Sequence, residues 1–202
     1  MIGIFIEPNK ELKIYIDKWK KKINQKFART KLTSHPSHST IYYANLIKDK
    51  DILKALEVTL KTVNSFKISV KKTLIFYDDV LTGGDTMCLL INKNDKLLQI
   101  QKKIAESLRF FIKKNSNGNQ KFTNKALSTS VKKYGYPFVG KHWLPHFTIG
   151  SIKNKRNSSE LKQFAEEKVK FTNNINYISA WKISKNKHVL IKRFKLRINE
   201  KN

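Results

Sequence analysis

Two four-residue stretches of the same form stand far apart in the chain, His38-Ser39-Thr40-Ile41 and His146-Phe147-Thr148-Ile149. The sequence holds five histidines, so two of them in one repeated pattern invite a chemical reading. A neutral imidazole accepts a proton, a protonated one returns it, and threonine hydroxyls donate to oxygens on which negative charge builds. Two imidazoles and two hydroxyls gathered around one small anion are equipped for acid-base chemistry on a phosphodiester.

Such chemistry requires that each motif be held with His and Thr on one side. Both motifs lie in β-branched and aromatic runs, HSTIYYANL (38–46) and WLPHFTIGSI (143–152), which read as strands. On a strand, residues i and i+2 share a face, so each histidine stands beside its threonine while the intervening residue points the other way. Phe147 is therefore expected in the core.

The remaining elements follow from periodicity. IGIFI (2–6) is a short apolar strand, and Leu12, Tyr15, Ile16, Trp19, Ile23 and Phe27 give a helical stripe over 10–30 with a lysine-rich outer face. A helix is expected over 49–63, a strand and hairpin over 65–92 turning at TGGD (82–85), and a helix over 94–112. Residues 114–142 are polar and irregular and read as a loop or lid insertion. A helix over 158–170, for which Ser159 is a candidate cap, precedes two closing strands over 175–183 and 188–198. The order lacks regular βαβ alternation and predicts a single α+β domain with mainly antiparallel sheets, whose second half echoes the first.

Charge points to the partner. The 202 residues carry 42 Lys+Arg against 15 Asp+Glu, a net charge of +27. Codon bias in an AT-rich genome accounts for Lys over Arg but poorly for the scarcity of acids, so a polyanion such as RNA is the expected ligand. With 40% hydrophobic and 11% aromatic residues the chain can bury a core. The single cysteine, Cys88, lies in the apolar run TMCLLI, which excludes an internal disulfide and a cysteine-based zinc cluster. The opening MIGIFIEPNK reads as neither signal peptide nor membrane span, and a cytoplasmic monomer is expected.

The two motifs, together with the GIFI strand, the FKISV strand and hairpin, the proline before the second motif histidine and the closing HVLIKRFKL, resemble the 2H phosphoesterases over essentially the whole chain. That family includes the 2′-5′ RNA ligase-like proteins and cyclic phosphodiesterases. The resemblance implies two pseudo-symmetric lobes of antiparallel sheet with helices outside and a central groove. It also implies opening of 2′,3′-cyclic phosphates or cleavage of 2′,5′-type phosphodiesters without cofactor or metal. It makes His38 and His146 the acid-base pair and Thr40 and Thr148 the phosphate-holding hydroxyls. The long stretch before the second motif, the extreme charge, and His188 where relatives often carry tyrosine depart from the usual pattern.

Other residues are weighed on their own. His188 and Tyr136 are candidates to touch substrate, Trp143 to stack on a base, and Arg193 to meet a phosphate. His35, just ahead of Pro36, reads as a loop residue. His142 and His146 have the spacing of helical metal ligands, but Pro145 breaks any such helix. Two further readings stay open: a hydrolase of small cyclic nucleotides or cyclic oligonucleotides, and a non-catalytic RNA-binding module on the same fold.

Overall fold

The computed structural model describes residues 1–27, 30–47, 49–113, 122, 124–153, 157–184 and 187–198. Eight strands form one sheet: β1 (Ile2–Ile6), β2 (Ser39–Ala44), β3 (Phe66–Asp79), β4 (Gly84–Ile91), β5 (His146–Ile152), β6 (Phe171–Ile175), β7 (Tyr177–Ser184) and β8 (Lys187–Lys195). Their spatial order is β6-β3-β4-β5-β2-β1-β7-β8, and every neighbouring pair is antiparallel. The sheet divides into two four-stranded halves, because β5 and β2 are paired at one position, Ser39 with Phe147. This is the α+β arrangement of two lobes expected from the sequence.

Helices cover one side of each half. Helix α1 (Lys10–Lys26) is capped by Asn9, whose side chain accepts from the Leu12 amide at 2.9 Å, and it buries Leu12, Ile16, Trp19 and Ile23. With the short α2 (Lys31–Ser34) it packs on β5, while α6 (Ser159–Glu166) packs on β3. On the other half, α3 (Asp49–Leu60) lies on β8 and α4 (Asp95–Leu108) on β2, flanked by α5 (Lys125–Tyr134). The opposite side of the sheet is left for the motifs.

Three elements depart from the sequence-based expectation. Helix α5 occupies part of the stretch read as irregular; 114–121 and 123 of that stretch lie outside the described residues. Its apolar stripe is thin, and its boundaries come from caps: Asn124 accepts from the Ala126 and Leu127 amides, and Gly135 ends it at φ 63°, a left-handed conformation that glycine adopts without strain. Strand β6 occupies the stretch left between the helix expected over 158–170, which ends at Glu166, and the strand expected from 175. Its buried Asn173 is a poor strand former that is kept by bonds from the Asn9 amide and to the Glu7 carbonyl, both 3.0 Å. Ser158, not Ser159, caps α6. Among the described residues no helix is long and apolar enough to cross a membrane.

Candidate active site

The single rung between the lobes decides where the motifs point. Ser39 and Phe147 are fully buried, facing the helical layer. The alternation of a strand then places His38 and Thr40, and His146 and Thr148, on the opposite face, and all four are half-buried. Antiparallel pairing through Ser39 and Phe147 sets His38 across from Thr148 and Thr40 across from His146. The two motifs thus meet as neighbours in the middle of the sheet, related by an approximate two-fold through one residue pair.

Each histidine is held by the same local bond. The Nδ1 of His38 lies 2.7 Å from the Pro36 carbonyl, and the Nδ1 of His146 lies 2.7 Å from the Leu144 carbonyl, two residues back in both cases. A carbonyl only accepts, so Nδ1 carries the hydrogen and Nε2 keeps its lone pair. Trp143 adds a tie between the motifs, its indole N–H donating to the Thr40 carbonyl at 3.0 Å.

The surroundings of the two rings differ. His38 stacks on Phe5, ring centroids 3.9 Å apart and 21° from parallel. Gly3 makes this possible: a Cβ there would stand 2.3 Å from Cζ of Phe5, whose ring folds back over the glycine. His188 reaches in from β8, 5.7 Å from His38, and His35 lies 4.0 Å from His188. Beside them is buried Lys20 of α1, whose ammonium donates to the His35 carbonyl at 2.7 Å. Burial pulls Lys20 down to about 8, against the pull of Asp17. Burial also pulls His38 down to about 3, opposed by the Pro36 carbonyl and reinforced by His188, Lys20 and His35.

His146 instead meets Phe76 edge-on at 5.4 Å. Burial lowers its pKa too, but the Leu144 carbonyl and the carboxylate of Asp79 work the other way. Asp79 is fixed by hydrogen bonds from the Thr86 hydroxyl at 2.8 Å, the Thr82 hydroxyl at 3.2 Å and the Leu81 amide at 3.0 Å. Ser151, farther along the second motif strand, joins the network by donating to Thr82 at 2.9 Å. Cys88 pairs with Thr148, its buried thiol 3.9 Å from the Thr148 hydroxyl.

The other sequence candidates separate. His188 is at the site, and Phe147 is in the core as expected. Arg193 shares the face of Thr40, since Thr40, Phe5, Ser179 and Arg193 are successive partners across four strands. Its guanidinium, however, is engaged by Glu7 in a two-pronged pair at 2.9 and 2.8 Å. Trp143, read as an open stacking surface, is 3% exposed and serves as the tie just described. Tyr136 packs edge-on against Phe138 and Tyr42, and Tyr42 is a buried residue of the helical side of β2, so the fold does not bring Tyr136 to the motifs. Sequence reasoning did not find Phe5, Lys20 or Asp79 and set His35 aside as a loop residue. The GxF spacing of Gly3 and Phe5 was the one local signal available.

No model of a known protein family matches the sequence, and no curated protein matches it. Solved structures do. The crystal structure of TT0787 of Thermus thermophilus aligns over 98% of this chain and 99% of that one, with 12% identity and a TM-score of 0.63. E. coli LigT complexed with 3′-AMP aligns over 96% and 97% at 10% identity, TM-score 0.54, and a protein described as a phosphoesterase over 97% and 98% at 10% identity, TM-score 0.52. Full-length coverage in both directions at so low an identity speaks to architecture. The chain has the 2H phosphoesterase fold.

Proposed function

We propose that the protein is a 2H-type phosphodiesterase that opens 2′,3′-cyclic phosphates or cleaves 2′,5′-type phosphodiesters on RNA ends or oligonucleotides. The observation that supports this reading most is the Ser39–Phe147 rung, which sets two His-x-Thr motifs side by side with like-oriented imidazoles. The nucleotide in the LigT complex, 3′-AMP, and the +27 charge of this chain favour a nucleotide phosphate as substrate.

In the opening of a 2′,3′-cyclic phosphate, Nε2 of one histidine takes a proton from water as the water oxygen bonds to phosphorus. The other, protonated on both nitrogens, gives a proton to the ribose oxygen that leaves. Thr40 and Thr148 donate to the non-bridging oxygens as their charge grows. We assign His38 as base, because its neighbours His188, Lys20 and His35 all disfavour its protonated form. His146 is the acid, because Asp79 favours its protonated form and an arriving phosphate adds to that effect.

The test is turnover in chelator of adenosine 2′,3′-cyclic phosphate and a 2′,5′-linked dinucleotide, with products identified by mass spectrometry. Activity that falls by about 10²- to 10⁴-fold in both His38→Ala and His146→Ala is the expected result. Wild type and both variants behaving identically across such substrates would overturn it. RNA binding that is steeply salt-dependent and unaccompanied by turnover would identify a binding module instead.

A further inference from the structure

The first motif is flanked by more hydrogen-bonding groups than the reaction above uses. The Phe5, His38, His188 and His35 rings form a ladder with successive separations of 3.9, 5.7 and 4.0 Å. The ammonium of Lys20 stands behind His35, 6% exposed and bound to its carbonyl. Asp17, which faces Lys20, is already engaged by Lys13 and by the Ser37 hydroxyl at 3.2 Å, and Glu7 at the end of β1 is engaged by Arg193. Among the described residues nothing hydrogen-bonds to the buried Nδ1 of His188. The N–H groups of two imidazoles beyond His38 and a buried ammonium make a site for an anion, and among the described residues no group of side chains is placed to hold a metal.

We propose that His188 and His35, backed by Lys20, bind a second phosphate group of the substrate, next to the scissile phosphate held between the motifs. His188 stands one ring beyond His38, centroid to centroid 5.7 Å, an interval of the order of that between adjoining groups on a nucleotide backbone. On the side of the second motif the carboxylate of Asp79, which favours protonated His146, repels a further anion. The substrate therefore lies in one direction, with its additional phosphate over the first lobe. The preferred substrates are nucleotides with two phosphates, in contrast to a plain mononucleotide cyclic phosphate.

This inference rests on the phosphodiesterase reading, and the experiment separates the two. Turnover is compared for adenosine 2′,3′-cyclic phosphate, its 5′-phosphorylated form, and a dinucleotide ending in a 2′,3′-cyclic phosphate. The wild type is expected to favour one or both two-phosphate substrates by about tenfold or more in kcat/KM, the scale of a charge-assisted contact. The 5′-phosphate arm reports a monoester in the pocket and the dinucleotide arm a diester. In His188→Phe and His35→Ala that ratio falls to about one. Turnover without preference, or a preference that survives both substitutions, overturns the pocket and leaves the reaction standing. Turnover of none overturns the reaction, and the pocket is then judged by NMR titration with inorganic pyrophosphate. Shifts of the His35 and His188 imidazole signals support it, and unmoved signals overturn it.

Discussion

The two motifs share a sequence pattern, a strand face and a 2.7 Å bond from Nδ1 to the carbonyl two residues back, yet they sit in opposite electrostatic surroundings. Around His38 are His188, His35 and Lys20; around His146 are Asp79 and hydroxyls. Repetition supplies two equivalent imidazoles, and the flanking strands make them unequal. An acid and a base need different proton affinities from the same side chain, and here that difference comes from residues outside the repeated motif.

The comparison can be broken at several depths. The largest effect is expected from removing the hydroxyls that both halves share: Thr40→Val and Thr148→Val each lower kcat by about 10²-fold with KM less affected, measured on a 2′,3′-cyclic phosphate. A much smaller loss from one of them would mean that the lobes do not hold the phosphate equally. Next comes Gly3→Ala, which touches only the first lobe. The new methyl group displaces the Phe5 ring from beneath His38 and costs about 1–3 kcal/mol, read by denaturant unfolding.

Asp79→Asn touches only the second. The asparagine keeps an acceptor for Thr82 and Thr86 but loses the charge that favours protonated His146. The basic limb of the kcat/KM profile, where His146 loses its proton, moves to lower pH, and an unmoved limb would exclude His146 as the acid. The last test is of acid stability. His38 is neutral in the fold down to about 3, whereas an unfolded imidazole takes a proton near 6.5. Its contribution is complete above 6.5 and is lost as pH falls from there toward 3, because protons then favour the unfolded chain. Thermal unfolding of His38→Gln should decline less over that range than the wild type.

Local patterns carried much of this into the sequence. β1, the β3–β4 hairpin and β5 are apolar runs with clear turn signals, and α1 and α4 are stripes with asparagine caps. The placement of His and Thr on one face followed from strand alternation alone. What was not legible is pairing at a distance. Nothing in HSTI or HFTI states that Ser39 will oppose Phe147, or that β8 will carry His188 to His35. The bonds of Arg193 and Trp143 were not legible for the same reason: their partners, Glu7 and the Thr40 carbonyl, are remote in sequence. Strand β6 was hidden because two of its five residues are asparagines, and the buried one, Asn173, is satisfied by remote partners rather than by propensity.

The strand order also has a bearing on synthesis. Strands β3, β4, β5 and β6 all fall between residues 66 and 175, so the sheet of that lobe is complete in the nascent chain before β7 and β8 are made. The other lobe is made in two instalments, β1 and β2 early and β7 and β8 last. Until Ser179–Lys182 have been translated, the outer edge of β1 presents the amides and carbonyls of an apolar strand without a neighbour. A ribosome stalled between β6 and β7 would thus hold one finished lobe and one adhesive edge, and the nascent chain at that stage is the one most in need of a chaperone.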